Sequence, residues 1–405
     1  MQDRQRTQLL EIYQAAIDRV NGRVCVAKYL QGLSQTRPVR VISIGKAASS
    51  MMLGVLEQWD ACVQKGLIIT KYNHLLPALQ QDRRIKCLQA SHPVPDESSL
   101  EAGSRLLQFL EEVPVDVDIL FLISGGASSL VEVLPEGIHL HDLQALTSAL
   151  LGNGFSIDRI NHIRKRISCI KGGKLLEYCR HRNVQSLMIS DVPGDDVSVI
   201  GSGLLVPEQY DPSVDQSIPE WFMKGCGHRL PVTEISYDGV VPDNIIVASN
   251  DMAIKAISSL DGLPVNKTGK LTGDINEMSA EVIGVLINGG PGVYLWGGEC
   301  TVRLPETPGK GGRCQHMALI IAQAIAGSDN ITVLVMATDG SDGPGEEGGA
   351  LIDGATVFRG EQQGYDVNRC LNNADAGSFL YASADLVQTG PTGTNVMDLL
   401  IAVKT

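Results

Sequence analysis

The stretch VRVISIGKAASSMMLGVLEQW (39–59) decides the fold. A β-branched, mostly apolar run ends at Gly45-Lys46 and gives way at once to a helical pattern. A short apolar run closed by glycine reads as a strand buried on both faces, and the helix after it makes a βα unit. Related runs follow at DILFLISGG (118–126), SLMISDVPGDD (186–196) and NIIVASND (244–251). Others lie at GVYLWGGE (292–299), ITVLVMATDG (331–340) and LLIAV (399–403). Helical patterns fall between them over 98–111, 142–151 and 312–327; the first puts Leu100, Leu106, Leu107 and Leu110 on one face. This alternation predicts an α/β protein whose mostly parallel sheets are covered by helices.

The chain has 405 residues, enough for two domains at roughly 150 residues each. Residues 206–243 are weakly periodic and carry Pro207, Pro212, Pro219, Pro231 and Pro242, which reads as a linker. The expected domains are therefore 1–235 and 236–405. No internal repeat is visible.

Glycine contributes 43 residues, above the usual ~7%, without a collagen period or a Gly/Ser tract. Many sit at the carboxyl ends of the expected strands, where open α/β sheets bind ligands. The net charge of −13 disfavours nucleic acid as a partner, because phosphate backbones need clustered Lys and Arg. No 18-residue apolar stretch predicts a membrane helix, and MQDRQRTQLL lacks the apolar core of a secretion signal. Nine scattered cysteines without a CxxC pair read as reduced thiols of a cytoplasmic protein. His139 and His141 form the one close histidine pair, have no evident third ligand, and are expected at the surface.

The strand ends carry the chemistry. Gly45-Lys46 lies where a helix N-terminus and an ammonium together suit phosphate or carboxylate; the plainer reading is a lysine reaching into solvent. Ser124-Gly125-Gly126-Ala127-Ser128 offers bare N–H groups and hydroxyls to an anion, or simply makes a tight βα turn. Asp191 and Glu299 each follow a strand, as a Mg2+ ligand does, though Asp191 also begins an ordinary acidic turn. Gly311-Gly312-Arg313 opens a helix, a position its dipole makes unfavourable for a cation lacking an anionic partner. Asp339 follows ITVLVMAT, placed as a general base or metal ligand, or as an Asp-Gly turn. Thr392 and Asn395, within TGPTGTN (389–395), add small donors. A Walker-type loop is missing. The one GxGxxG match, Gly343, Gly345 and Gly348, sets Glu346-Glu347 against a pyrophosphate and fits it poorly.

In order along the chain, IGKAASSM (44–51), SHPVPDE (91–97), LISGGASSL (122–130), INHIRKRISCIKGGKL (160–175), SLMISDVPGDD (186–196), IGSG (200–203), LWGGECTV (295–302), GKGGRCQHMAL (309–319), ATDGSDGP (337–344) and TGPTGTNVMDL (389–399) resemble the type-2 glycerate kinases. The resemblance spans nearly the whole chain. It implies a Rossmann-like N-terminal domain, a MOFRL-type C-terminal domain, and an active site in the cleft between them. It implies transfer of the ATP γ-phosphoryl group to D-glycerate, with ATP and Mg2+ as cofactors and small-molecule substrates as partners, and it leaves a homo-oligomer open. Lys46, Arg313 and Asp339 would then be catalytic. Gly45, Ser124, Gly125, Gly126, Ser128, Asp191, Glu299, Gly311, Gly312, Thr392 and Asn395 would bind substrate and ATP, with Asp191 and Glu299 also holding metal. Three positions depart from the family pattern: Asn73 and Ser91 stand where Gly is usual, and Cys314 where Asn is usual. The competing expectations are a nicotinamide-dependent hydroxypyruvate reductase and a non-catalytic metabolite-binding protein. Nothing in the sequence specifies subunit number.

Overall fold

The computed structural model describes residues 2–153, 155, 157–231, 241–260 and 262–405. The chain forms two compact units, one of residues 25–247 and one of residues 1–24 with 248–405. The expected boundary at 235/236 falls among residues 232–240, outside those described.

The first unit is built on strands β1 (Val39–Ile44), β2 (Val63–Lys71), β3 (Ile85–Ala90), β4 (Asp118–Ile123), β5 (Val184–Ile189) and β6 (Asn244–Ala248). They lie in the order β3-β2-β1-β4-β5-β6, the order of the Rossmann fold. The pairings β3–β2, β2–β1, β1–β4 and β4–β5 are all parallel. Every residue of β1 and β4 is buried, as their apolar runs predict. The helix Ala48–Trp59 turns Met51, Met52 and Val55 into the interior. The helix Glu97–Glu111 starts at Asp96, which accepts from Ser98 N at 2.9 Å, while Ser99 Oγ accepts from Asp96 N at 3.2 Å. That reciprocal cap fixes where the helix begins.

The segment read as a linker is not loose chain where it is described. Val214, Ile218, Phe222 and Cys226 lie on the short helices Ser213–Ser217 and Glu220–Cys226 or directly between them. They pack with Leu146, Leu150, Ile160, Ile163 and Ile167 in one buried cluster. Prolines punctuate these helices, at their starts and between them, without freeing the segment from the core.

The second unit contains β7 (Val265–Leu271), β8 (Gly292–Gly298), β9 (Ile331–Ala337), β10 (Gly349–Asp353), β11 (Leu386–Val387) and β12 (Asp398–Lys404), ordered β11-β10-β9-β12-β8-β7. Strands β7, β8, β9 and β11 run one way and β10 and β12 the other. The expected parallel bias therefore holds for strand direction. It fails for pairing, because β12 inserts antiparallel between β8 and β9, and only β7–β8 pairs in parallel. Trp296 is fully buried here, and Gly269 makes room for it: a Cβ at that position would stand 2.4 Å from the indole.

The helix Gln2–Val20 belongs to this second unit, although it opens the chain. Leu9, Ile12, Tyr13, Ala16, Ile17 and Val20 form its buried stripe at helical spacing. Arg6 reaches Asp353 at 2.8 Å and Asp385 at 3.0 Å, and Arg359 bridges the same two carboxylates. Burial pushes the Asp353 carboxyl up, but Arg359 and Arg6 hold it below the usual range.

Candidate functional site

In the first unit, register brings the motif loops to one edge. Ile44 of β1 lies beside Ile69 of β2 and Ile123 of β4, and Ile123 lies beside Met188 of β5. Gly45-Lys46, Ser124–Ser128 and Asp191 therefore all leave the carboxyl edge together, with Asp191 two residues beyond β5. Gly45 adopts φ +126°, and a Cβ there would stand 2.2 Å from Ser124 Oγ, so only glycine lets the two loops touch. They are then pinned: Lys46 N donates to Gly125 O at 2.9 Å and Ala47 N to Ser124 Oγ at 3.1 Å. Gly126 lies against the Lys46 stem and the His92 ring, where a Cβ would come within 3.4 Å and 3.0 Å. His74 Nδ1 faces Lys46 O at 3.3 Å. Lys46 is half-buried, so its stem is held among these groups.

Ser128 Oγ lies 2.6 Å from Ser202 Oγ, and Arg164 Nη2 donates to Ser128 O at 3.3 Å. Gly172 N and Gly173 N donate to Ser202 O and Gly203 O at 3.0 and 2.7 Å. The SGGASS, IKGGK and IGSG loops are thus stitched into one layer. Beneath it Lys171 pairs with Glu132, both at most 1% exposed, and Ser168 Oγ donates to Glu132 at 2.5 Å. Burial lowers the Lys171 ammonium to about 8 despite Glu132. Asn73 takes φ +66°, which explains why glycine is usual there and why asparagine serves.

In the second unit the site is made of charged side chains. Arg313 begins the helix Arg313–Ala324. Its Nε and Nη2 grip Asp398 at 2.5 and 2.9 Å, and its Nη1 meets Glu299 at 3.0 Å. The anionic partner that an arginine at a helix start requires is therefore supplied by the fold itself, as two carboxylates. Asp398, the first residue of β12, sits opposite Gly298 of β8 and Ala337 of β9, next to where Glu299 and Asp339 leave their strands. Burial pushes the Asp398 carboxyl up, and Arg313 holds it back. Cys314, in place of the usual asparagine, is fully buried; burial drives its thiol well up, and the protonated group hydrogen-bonds Asp398. Asparagine and cysteine both present a donor at that point.

Asp342 anchors the same helix start, accepting from Cys314 N at 3.1 Å and Gln315 N at 2.8 Å. Burial, with Asp398 nearby, raises its carboxyl to about 6. Gly312 leaves room for it, since a Cβ would stand 2.2 Å from Asp342 Oδ1. Asp339 is 3% exposed, and its Oδ1 accepts from Ser341 N at 2.9 Å. Thr392 Oγ1 donates to Thr338 O at 2.5 Å, and Asn395 is buried close by in sequence. Val20, Asn21 and Gly22 hold this loop through Thr394 Oγ1, Thr392 O and Gly393 O at 2.7, 3.0 and 2.9 Å. Tyr13 donates to Ala337 O at 3.0 Å, directly under the turn to Asp339; burial and then Asp339 push its hydroxyl up.

The candidate residues thus form two sets, one in each unit: Gly45, Lys46, Ser124, Gly125, Gly126, Ser128 and Asp191; and Glu299, Gly311, Gly312, Arg313, Asp339, Thr392 and Asn395. Among the described residues no group of three or more His, Cys, Asp or Glu is placed to hold a metal ion. Sequence reasoning missed Asp398, Asp342, Tyr13 and the Lys171–Glu132 pair. Asp398, Asp342 and Lys171 lie within the quoted motifs TGPTGTNVMDL, ATDGSDGP and INHIRKRISCIKGGKL, so a signal was present; Tyr13 and Glu132 carry no local pattern that marks them. The GxGxxG match leads into β10 and not into a helix, as its poor fit implied. His139 and His141 are exposed, and all nine cysteines are free.

Residues 8–220 match the model of a domain of unknown function, DUF4147, and residues 292–398 match the MOFRL family. The chain is 32% identical to a D-glycerate 2-kinase of Thermotoga maritima, covering 97% of each sequence. It is 35% identical to a protein of Agrobacterium vitis provisionally named hydroxypyruvate reductase, over 97% of this chain and 93% of that one. The crystal structure of a glycerate kinase from Thermotoga maritima superposes with a TM-score of 0.84 at 30% identity, over 99% of both chains. A parallel sheet in Rossmann order, a mixed MOFRL sheet and full-length likeness in sequence and structure together place this chain in the type-2 glycerate kinase family.

Proposed function

We propose that the chain is a glycerate 2-kinase, moving the γ-phosphoryl group of ATP to the hydroxyl on carbon 2 of D-glycerate and releasing ADP and 2-phosphoglycerate. The observation that carries this reading is the likeness to the D-glycerate 2-kinase of Thermotoga maritima along 97% of both chains. Phosphoryl transfer needs positioning, neutralisation of charge on the transferring oxygens and a group to take the hydroxyl proton.

Each part has a candidate. Lys46 neutralises phosphate charge, and the N–H groups and hydroxyls of Ser124, Gly125, Gly126 and Ser128 cradle the anion. Arg313 takes the glycerate carboxylate or the transferring phosphoryl group through the 31% of its side chain left open. Asp339 accepts the proton of the attacking hydroxyl or orients it. Thr392, Asn395, Gly311 and Gly312 complete the substrate contacts. Mg2+ bound with the nucleotide supplies further charge neutralisation. Asp191 and Glu299 are its candidate ligands, since an ion held chiefly by phosphates needs only one or two carboxylates.

The Agrobacterium vitis relative favours a second reading, hydroxypyruvate reduction. In a sheet of this order the dinucleotide fingerprint belongs in the first βα turn. That turn is Gly45-Lys46-Ala47-Ala48, with one glycine where three are needed.

Purified protein with D-glycerate, ATP and Mg2+ should release ADP in a coupled assay. Hydroxypyruvate with NADH or NADPH should give no nicotinamide oxidation. Oxidation without ADP release would overturn the kinase. Asp339→Asn should lower kcat by roughly 10²–10⁴-fold with modest loss of ATP affinity. Near-normal turnover would remove Asp339 from the reaction.

A further inference from the structure

A cavity of about 620 Å³ opens in the second unit beside the start of the Arg313 helix. It falls in the size range of small-molecule sites, ~300–1,000 Å³. Its lining mixes three kinds of surface. The first is bare backbone: Gly311, at φ +116°, and Gly377 press together, with Gly377 N donating to Lys310 O at 2.8 Å. A Cβ on Gly311 would stand 2.8 Å from Gly377 N, so side chains are excluded where the two segments meet. The second is aromatic: Tyr365, edge-on to Phe379, and Tyr381, a residue left 77% exposed on the helix Ala376–Ala382. The third is charged, Lys310 against Glu346 and Glu347.

We infer that this cavity receives the nucleoside part of the phosphoryl donor, the purine stacking on Tyr381 and the ribose hydroxyls donating to Glu346 and Glu347. A flat base gains from an aromatic wall that is otherwise left in water. Carboxylates accept from a vicinal diol, as an acidic residue does in dinucleotide folds. The same carboxylates repel phosphates, so charge sets the direction in which the ligand lies. The phosphates turn away from Glu346-Glu347 toward Lys310, Gly311, Gly312 and Arg313. The segment that fails as a pyrophosphate loop is suited to a sugar for the same electrostatic reason. The inference rests on the kinase reading for the identity of the donor.

The test uses the full-length protein. Tyr381→Ala should raise KM for ATP roughly tenfold. Glu346→Gln should raise it severalfold. Both should leave KM for D-glycerate and kcat within about twofold, and ADP binding measured by calorimetry should weaken in parallel. An unchanged KM for ATP in both variants, or a shift in KM for glycerate instead, overturns the assignment. If the wild type releases no ADP with glycerate, the kinase reading fails. The calorimetric comparison then still decides the cavity: ADP bound equally well by wild type and both variants overturns it, and weakened binding supports it. Tyr381 is exposed, so its removal leaves the core intact.

Discussion

The two units build the sheet edges that carry their candidate residues from different materials. In the parallel sheet the edge is mainly peptide: Lys46 N and Ala47 N donate to Gly125 O and Ser124 Oγ, and Lys46 brings an ammonium to the turn. In the mixed sheet it is side-chain charge: Arg313, Asp398, Glu299, Asp339 and Asp342. Strand direction explains the difference. In a parallel sheet only carboxyl-terminal loops reach that edge. In the mixed sheet the antiparallel β12 begins there, so its first residue, Asp398, stands between the ends of β8 and β9.

One ion pair from each unit, Lys171–Glu132 and Arg313–Asp398, separates support from chemistry. Lys171–Glu132 is closed on both sides. Arg313–Asp398 buries the carboxylate and leaves the guanidinium 31% open. Removing one partner of a closed pair strands the other in low dielectric, whereas an open arginine keeps water and Glu299.

The largest effect should follow from the closed pair. Lys171→Met should cost about 3–5 kcal/mol of unfolding free energy in a denaturant titration, and Lys171→Met with Glu132→Leu should recover most of it. A double variant as unstable as the single would break the comparison.

Asp342 comes next, through pH. Its ordinary carboxyl value lies near 3.9, and burial raises it to about 6 in the fold. The folded protein therefore keeps a proton that the unfolded chain releases. The stability from this group is complete below about pH 4 and is lost as pH climbs through about 6, a span of about 3 kcal/mol. Asp342→Asn removes the titration, so its deficit against wild type should shrink between about pH 4 and about pH 7.5. Chemical denaturation at several pH values measures it; a constant deficit would show that Asp342 does not titrate there.

Asp398→Asn sharpens the contrast from the functional side. Loosening Arg313 should lower kcat/KM roughly a hundredfold, with less loss of stability than Lys171→Met. An equal loss of stability with normal kinetics would make the two pairs alike. Tyr13→Phe is the smallest change, about 1 kcal/mol for the hydrogen bond to Ala337 O, because Gly340 N still reaches that carbonyl. A scan of thermal or denaturant stability resolves it, and a loss near that of Lys171→Met would mean the N-terminal helix is held mainly through this tyrosine.

Legibility in the sequence tracks locality. The strands at 39–44, 118–123, 292–298 and 331–337 are continuous apolar runs, and they were readable because burial on both faces leaves that mark. Strand β7 was not readable: VNKTGKL alternates half-buried and exposed residues and resembles a loop. Strand β11 has two residues and no pattern at all. Lys46, Ser124 and Asp339 were legible because glycine-rich turns at strand ends are local features. The partners of Arg313 were not.

The sequence by itself determined that this protein is α/β, that its glycine loops gather at strand ends, and which family pattern those loops follow. Apolar runs, caps and glycine turns act within a few residues, so a linear reading captures them. Tertiary structure alone decided that the opening helix joins the C-terminal unit, and that Arg313 finds Asp398 across 85 residues. Both depend on strand order and direction, which are set by burying whole faces against one another, and no short stretch of chain records that choice.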